Sequence, residues 1–259
     1  MNPLLDIKNL SVTVGCQADA KSILDNVSFS VGKGRIMALV GPSGSGKTTA
    51  GMAILRLLDQ ALIVRSGEVL FENEDILAVP AQRMRRVRGA QIAMVFQEPL
   101  DAFDPLFTIG QQIDEVLAAH TDLSSQERHE RVLEVLSQVQ LPQPGRVVRR
   151  YPHQLSGGQR QRVLIAQSIA CRPKLLIADE PTSNLDVVAQ AGIMDVLRAL
   201  KNRAGVSIIL ITHDLGMVAH IADDAVVLCE GRVVEAGPIG DLMTNPRHPY
   251  TQAMVEVFR

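Results

Sequence analysis

The stretch Gly41-Pro42-Ser43-Gly44-Ser45-Gly46-Lys47-Thr48-Thr49 decides the reading of this chain. It follows the apolar run Ile36-Met37-Ala38-Leu39-Val40 and precedes a helix-compatible run over residues 50–58. A strand, a glycine loop and a helix in that order form the context of a phosphate-binding loop. Gly41, Gly44 and Gly46 let the backbone turn tightly and approach an anion without Cβ clashes. The N–H groups of the loop and of the helix start then point at the phosphate. Lys47 is placed to reach the β- and γ-phosphates, and Thr48 offers a hydroxyl to Mg²⁺. Pro42, Ser43, Ser45 and Thr49 belong to the same nucleotide-binding set. A glycine-rich turn that binds nothing would account for the glycines but not for the full G-x-x-x-x-G-K-T spacing.

The rest of the composition bounds the answer. With 259 residues the chain is long enough for one large domain or two small ones. A formal charge of −2 gives no global signal for nucleic acid. Cys16, Cys171 and Cys229 lie far apart without a C-x-x-C pair, which fits structural thiols in a reducing compartment. The first nine residues lack the basic region and apolar core of a signal peptide. No apolar run approaches the ~20 residues of a membrane-spanning helix, so membrane association is expected through partners.

Along the chain, residues 4–31 alternate as short strands around a hairpin loop at 15–21. Another strand is expected at 68–71, followed by a turn at 73–75. The arginine-rich run RMRRVR, 83–88, fits a solvated helical face, although a basic docking patch carries the same letters. Residues 92–96 form a buried-type strand ending at Gln97. Residues 109–140 carry helical periodicity, broken by Pro142 and Pro144, and look like a helical insertion in an α/β domain. Leu155-Ser156-Gly157-Gly158-Gln159 opens a helix expected to run to Cys171. Taken alone it is equally an N-cap serine with a flexible turn. Leu175-Leu176-Ile177-Ala178 is a continuous apolar run of the kind found in central parallel strands, and it ends in Asp179-Glu180. Such an acid at a strand end can hold Mg²⁺ through water, and its neighbour can polarise an attacking water. An isolated acidic pair there is just as readily a solvated strand end. An amphipathic helix follows at 187–202, then a buried strand at 207–211 ending in Thr212-His213-Asp214. His213 thus falls where α/β sheets place ligands.

In order, GPSGSGKT (41–48), Gln97, LSGGQ (155–159), LLIADE (175–180), SNLD (183–186) and His213 resemble the Walker A, Q-loop, signature, Walker B, D-loop and H-loop of the ABC ATPase family. The resemblance covers nearly the whole chain. It implies a P-loop NTPase fold: a RecA-like core with an antiparallel β-subdomain, interrupted by an α-helical subdomain. The corresponding boundaries are 1–97 for the β-subdomain and first part of the core, 98–165 for the helical subdomain, 166–240 for the remaining core and 241–259 for a tail. It also implies ATP and Mg²⁺ as ligands. Lys47 and Thr48 then hold phosphate and metal, Gln97 and Asp179 attend the metal, and Glu180 is the base. Gln97 and His213 sense the γ-phosphate. Ser156, Gly157, Gly158 and Gln159 serve the nucleotide of a second, homologous ATPase subunit, which this chain needs because it carries one half of each site. Two permease subunits and an external binding protein complete the implied assembly, with this chain peripheral on the cytoplasmic face of the inner membrane and no nucleic acid involved.

Residues 92–105, 151–163 and NPRHPYTQAM at 245–254 narrow the resemblance to the peptide/nickel importer branch. The stop at Arg259 resembles the shorter nickel-type subunit, so nickel or a metal chelate is expected slightly ahead of a peptide as cargo. Residues 98–108 are expected to receive the permease. Two positions depart from the family pattern. Val14 stands where an aromatic often stacks on adenine, and Asn184 replaces a more usual alanine. A soluble ABC ATPase of DNA repair or translation is the competing reading, and it lacks support from any coiled-coil insertion or second ATPase domain. A GTPase switch lacks an Asn-Lys-x-Asp base-reading motif.

Overall fold

The computed structural model describes residues 2–15, 21–97 and 102–256. The hairpin loop expected at 15–21 and Cys16 therefore fall largely outside the described residues, as do positions 98–101 of the expected permease-facing segment. The chain divides into two compact units: Met1–Met84 with Ser207–Arg259, and Arg85–Val206.

The first unit opens with β1 (Leu5–Val14) and β2 (Ser22–Val31), which pair antiparallel. Leu5 and Ile7 of β1, then Leu10 and Val12, are buried at period two, and the register shifts between the two pairs, where Asn9 is left-handed. Next comes β3 (Ile36–Val40), buried at every residue, and α1 (Lys47–Ile54). After β3 and α1 the chain returns to the antiparallel sheet with β4 (Leu62–Phe71), which pairs with β1, and β5 (Glu74–Asp75). The strand expected at 68–71 is thus longer than the sequence pattern shows. It continues through Ser66-Gly67 with a shift of register against β1, where Gly67 at φ +105 lies on the backbone of Asn9 and Leu10 and a Cβ would come within 2.6 Å of the Leu10 Cα. The turn before β5 uses Glu72 and Asn73, both left-handed, as a two-residue hairpin requires.

Helix α2 (Ala81–Val87) follows, with Met84 and Val87 buried and Arg85 and Arg86 exposed, so the arginine run is a helical face. The second unit then contains β6 (Ile92–Val95), α3 (Ile109–His120), α4 (Ser125–Gln138), the short α5 (Pro144–Val147), α6 (Gly157–Ser168), β7 (Leu175–Asp179) and α7 (Val187–Ala204). Strands β6 and β7 are parallel and wholly buried. The helical block expected at 109–140 contains two helices, each started by its own capping box, at Thr108/Gln111 and Ser124/Glu127. Helix α6 ends at Ser168 rather than near Cys171. There Arg172 takes a left-handed turn toward β7.

Back in the first unit, β8 (Ser207–Thr212) lies parallel to β3, and after α8 (Leu215–Val218) so does β9 (Asp224–Cys229). Antiparallel β10 (Arg232–Pro238) completes this layer. The chain continues with α9 (Ile239–Thr244) and α10 (Pro249–Glu256). The tail is fastened by one carboxylate: Glu235 accepts the backbone N–H groups of Arg247 at 2.9 Å and His248 at 3.0 Å. Among the described residues no helix is long and apolar enough to cross a membrane.

Candidate nucleotide site

In the first unit the phosphate loop springs from the C-terminal end of β3. Gly41 passes so close to the Leu228 carbonyl that a Cβ there would overlap it. Gly46 is the N-cap of α1, at φ 97, and no side chain caps the helix. The first N–H groups of α1 have no acceptor within the helix, and they carry the positive end of its dipole. Lys47 is 7% exposed and folds back over the loop, donating its ammonium to the carbonyls of Gly41 at 3.0 Å and Pro42 at 2.8 Å. The Ser45 hydroxyl is buried without a hydrogen-bond partner among the described residues. A buried polar atom left unsatisfied costs about 1–3 kcal/mol. The uncapped helix start, the lysine held at the loop and the orphaned hydroxyl together fit a bound phosphate chain. Pro42, Ser43, Gly44, Thr48 and Thr49 lie on the same turn, with Thr48 exposed.

The same sheet places His213. Val40 pairs with Thr212 in the parallel β3–β8 ladder, so Gly41 and His213 both follow the C-terminal ends of neighbouring strands. His213 is exposed, and Asp214 after it caps α8 by accepting the Met217 N–H at 2.8 Å.

The second unit gathers the acidic residues. Asp179, the last residue of β7, is 2% exposed. Glu180 follows it at φ 45, a left-handed conformation rare for a residue with a Cβ. Gln97, exposed, lies two residues past β6, the strand that pairs with β7. Ser183 links the two strand ends: its hydroxyl donates to the Glu180 carbonyl at 2.9 Å and approaches the Gln97 carbonyl at 3.5 Å. Sequence reading overlooked Ser183, though its place in SNLD beside Asp179-Glu180 was visible. Asn184 also takes a left-handed conformation, φ 61, which asparagine tolerates better than most residues with a Cβ.

The signature opens α6. Ser156 is indeed an N-cap: its hydroxyl accepts the Gln159 N–H at 3.3 Å, and Gln159 accepts the Ser156 N–H at 3.2 Å. The capping box fixes the loop, while Gly157 and Gly158 rest on Leu185 and Ala189. A Cβ on Gly158 would lie 3.1 Å from that of Ala189, tighter than ordinary contact.

Residues 24–183 match the family described as ABC transporter. The chain belongs to the ABC transporter family. It is an ATPase cassette of that family, with the expected P-loop fold of parallel core, antiparallel β-subdomain and helical insertion. A dipeptide transport ATP-binding protein, DppD, of Haemophilus influenzae is 45% identical over 252 residues, which span 97% of this chain and 76% of that protein. A Brucella abortus protein named for peptide import ATP binding is also 45% identical, over 98% of this chain and 76% of its own length. Among solved structures, the bacterial ABC transporter cassette MJ0796 superposes with a TM-score of 0.79 at 30% identity, covering 91% of this chain and 98% of that one. It has been solved as a dimer, including a post-hydrolysis state bound to ADP and Pi.

Proposed function

We propose that this cassette hydrolyses ATP to drive a membrane importer whose cargo is a peptide. The observation that carries the ATPase half is the phosphate loop, with its uncapped helix start, buried Lys47 and orphaned Ser45 hydroxyl. The names of the relatives support the peptide half and favour it over nickel or a metal chelate. In this reading residues 41–49 hold the phosphates. Glu180 accepts a proton from the attacking water, and Gln97 and His213 orient the γ-phosphate and that water. Ser156, Gly157, Gly158 and Gln159 close on the nucleotide of a second cassette, which makes hydrolysis depend on association. The Thr48 hydroxyl, the Gln97 amide and the Asp179 carboxylate offer hard oxygen donors that suit Mg²⁺. That ion neutralises phosphate charge when bound. The exposed Val14 offers adenine no aromatic face, so grip falls on the phosphates.

The partners follow from the same reading: a second cassette, two permeases and an external binding protein, with this chain on the cytoplasmic face of the inner membrane. Leu106 and Phe107, 79% and 48% exposed, provide an apolar surface for a permease helix. Gln112 braces their loop, donating its amide to the Asp104 and Phe107 carbonyls at 3.0 Å each. Uptake of labelled dipeptide and of Ni²⁺ in a strain lacking the gene tests the cargo. Loss of dipeptide uptake alone supports the proposal, and loss of Ni²⁺ uptake alone overturns it. Co-purification with nucleic acid instead of permeases would favour the soluble reading.

A further inference from the structure

Helix α6, which carries the signature at its start, is cross-braced to α4 by two arginines. Arg131 of α4 is 7% exposed and donates to the carbonyls just past the end of α6, Ala170 at 2.8 Å and Ile169 at 2.9 Å. A third nitrogen of the same guanidinium pairs with Glu134 at 2.8 Å. Arg162 of α6 returns the arrangement, donating to the carbonyls just past the end of α4, Val139 at 3.2 Å and Gln140 at 3.0 Å. Helix C-termini carry unsatisfied carbonyls and partial negative charge. A guanidinium answers both: Arg131 uses two nitrogens for its two carbonyls, and Arg162 reaches its pair through one terminal nitrogen.

The seat of Arg162 is the informative part. Its guanidinium runs beside Gly192 of α7, and a Cβ at that position would overlap a terminal nitrogen. Glycine is the weakest helix former short of proline, yet it stands inside an 18-residue helix. Its φ is not left-handed, so the backbone does not demand it. What the glycine supplies is room for Arg162. Leu185, Ala189 and Gly192 recur at helical spacing, and they meet Gly157, Gly158 and Arg162 respectively. Residues 157–162 of α6 thus face residues 185–192 at three successive points, and at the last Gly192 leaves room for the Arg162 guanidinium.

We propose that Arg162, seated on Gly192, is a positioning residue that sets the aim of the signature residues 156–159, while Arg131 fixes the far end of the same helix. The inference rests on the role proposed above for the signature in closing a second nucleotide site. An enzyme group misplaced by about 1 Å loses on the order of a hundred-fold in rate. The test uses the purified full chain and reads ATP turnover, affinity for a fluorescent ATP analogue and thermal melting. Arg162→Gln should lower kcat by roughly ten- to a hundred-fold and leave nucleotide affinity at the phosphate loop unchanged. Gly192→Ala should do the same by displacing the guanidinium, with an equal or higher melting temperature because alanine favours the helix. Combining the two should cost nothing further, since the group that alanine displaces is already gone. Wild-type turnover in Gly192→Ala, additive losses, or a parallel fall in affinity or melting temperature overturns the proposal. Ser156→Arg separates the two levels. If it leaves turnover intact, the signature role itself fails. If it stops turnover while Gly192→Ala does not, only the positioning inference fails.

Discussion

Glu180 holds a left-handed backbone at φ 45, and Pro181 after it narrows its choices further. A side chain with a Cβ costs about 1–2 kcal/mol in that conformation. Glycine escapes the cost but loses roughly 0.5–1 kcal/mol more chain entropy on folding. Replacing Glu180 by alanine removes the carboxylate and keeps the strain, whereas replacing it by glycine removes both. The difference between Glu180→Gly and Glu180→Ala therefore isolates the backbone term, about 1 kcal/mol in favour of glycine. For a chain of this size that corresponds to a melting temperature higher by roughly 2–4 °C. The backbone of the loop is otherwise retained, because the Ser183 contacts run to the Glu180 carbonyl and not to its side chain. ATP turnover should be abolished in both variants and in Glu180→Gln, which should also trap ATP and stabilise a closed dimer. Scanning calorimetry and a phosphate-release assay read the two effects separately. A glycine variant that melts at or below the alanine variant would sink the strain account. Turnover in Glu180→Gln would sink the catalytic role, whatever the melts show.

Lys47→Met should abolish nucleotide binding in a fluorescent-analogue titration, because it removes the ammonium that the Gly41 and Pro42 carbonyls hold at the loop; retained affinity would contradict the assignment. Replacing Asp104 and Phe107 should uncouple uptake from ATP hydrolysis while leaving nucleotide binding intact, and undiminished uptake would count against the permease surface. Glu134 is held below the usual carboxylate range by its hydrogen bond to Arg131, against a smaller opposing effect of burial. A depressed carboxylate stabilises the fold above its unfolded value of about 4.3 and loses that contribution as pH falls through its lower folded value. Wild type should accordingly melt above Glu134→Gln at neutral pH, with the gap closing in acid; a gap independent of pH would refute the pairing. Glu235→Ala leaves the Arg247 and His248 N–H groups without their acceptor, so limited proteolysis should cut the segment 245–256 faster than in wild type.

The glycine loop and the continuous apolar strands were legible because their signals are local: β3, β6, β7 and β8 are each a short apolar run that the structure buries completely. The signature was legible as a helix start for the same reason, since Ser156 and Gln159 stand three residues apart. Strand β4 was cut short at Gly67 because a glycine within a strand looks like a break until its neighbour is known. Here that neighbour is the backbone of Asn9 and Leu10, far away in sequence. Periodicity marked residues 109–140 as helical, and the two helix starts within it are written in Thr108-x-x-Gln111 and Ser124-x-x-Glu127. Other contacts leave no local trace. Nothing around Gly192 announces Arg162, thirty residues earlier, and nothing around Glu235 announces the tail it holds.

Left-handed residues with side chains recur through the chain, and their settings differ in a way that separates architecture from chemistry. Glu72 and Asn73 occupy the tight turn between β4 and β5, and Glu230 sits with Gly231 between β9 and β10. Those hairpins require left-handed residues, and any small or polar side chain that tolerates the turn will serve. Glu180 joins no hairpin: it leaves a parallel strand and enters a loop that ends at the Asp186 cap of α7. Glycine would relieve that position at once, and the phosphate loop shows the chain using glycine freely at Gly44 and Gly46 for the same purpose. Arg56, Gln140 and Arg172 also hold left-handed backbones outside hairpins, each shortly after a helix, whereas Glu180 leaves a buried strand directly after Asp179. The neighbouring Asn184 solves its own left-handed turn with a residue suited to it, so the loop as a whole is not simply careless of backbone cost. A carboxylate kept at a strained strand end, directly after a buried aspartate, supports the proton-transfer role proposed for Glu180, and turnover in Glu180→Gln is what tests it.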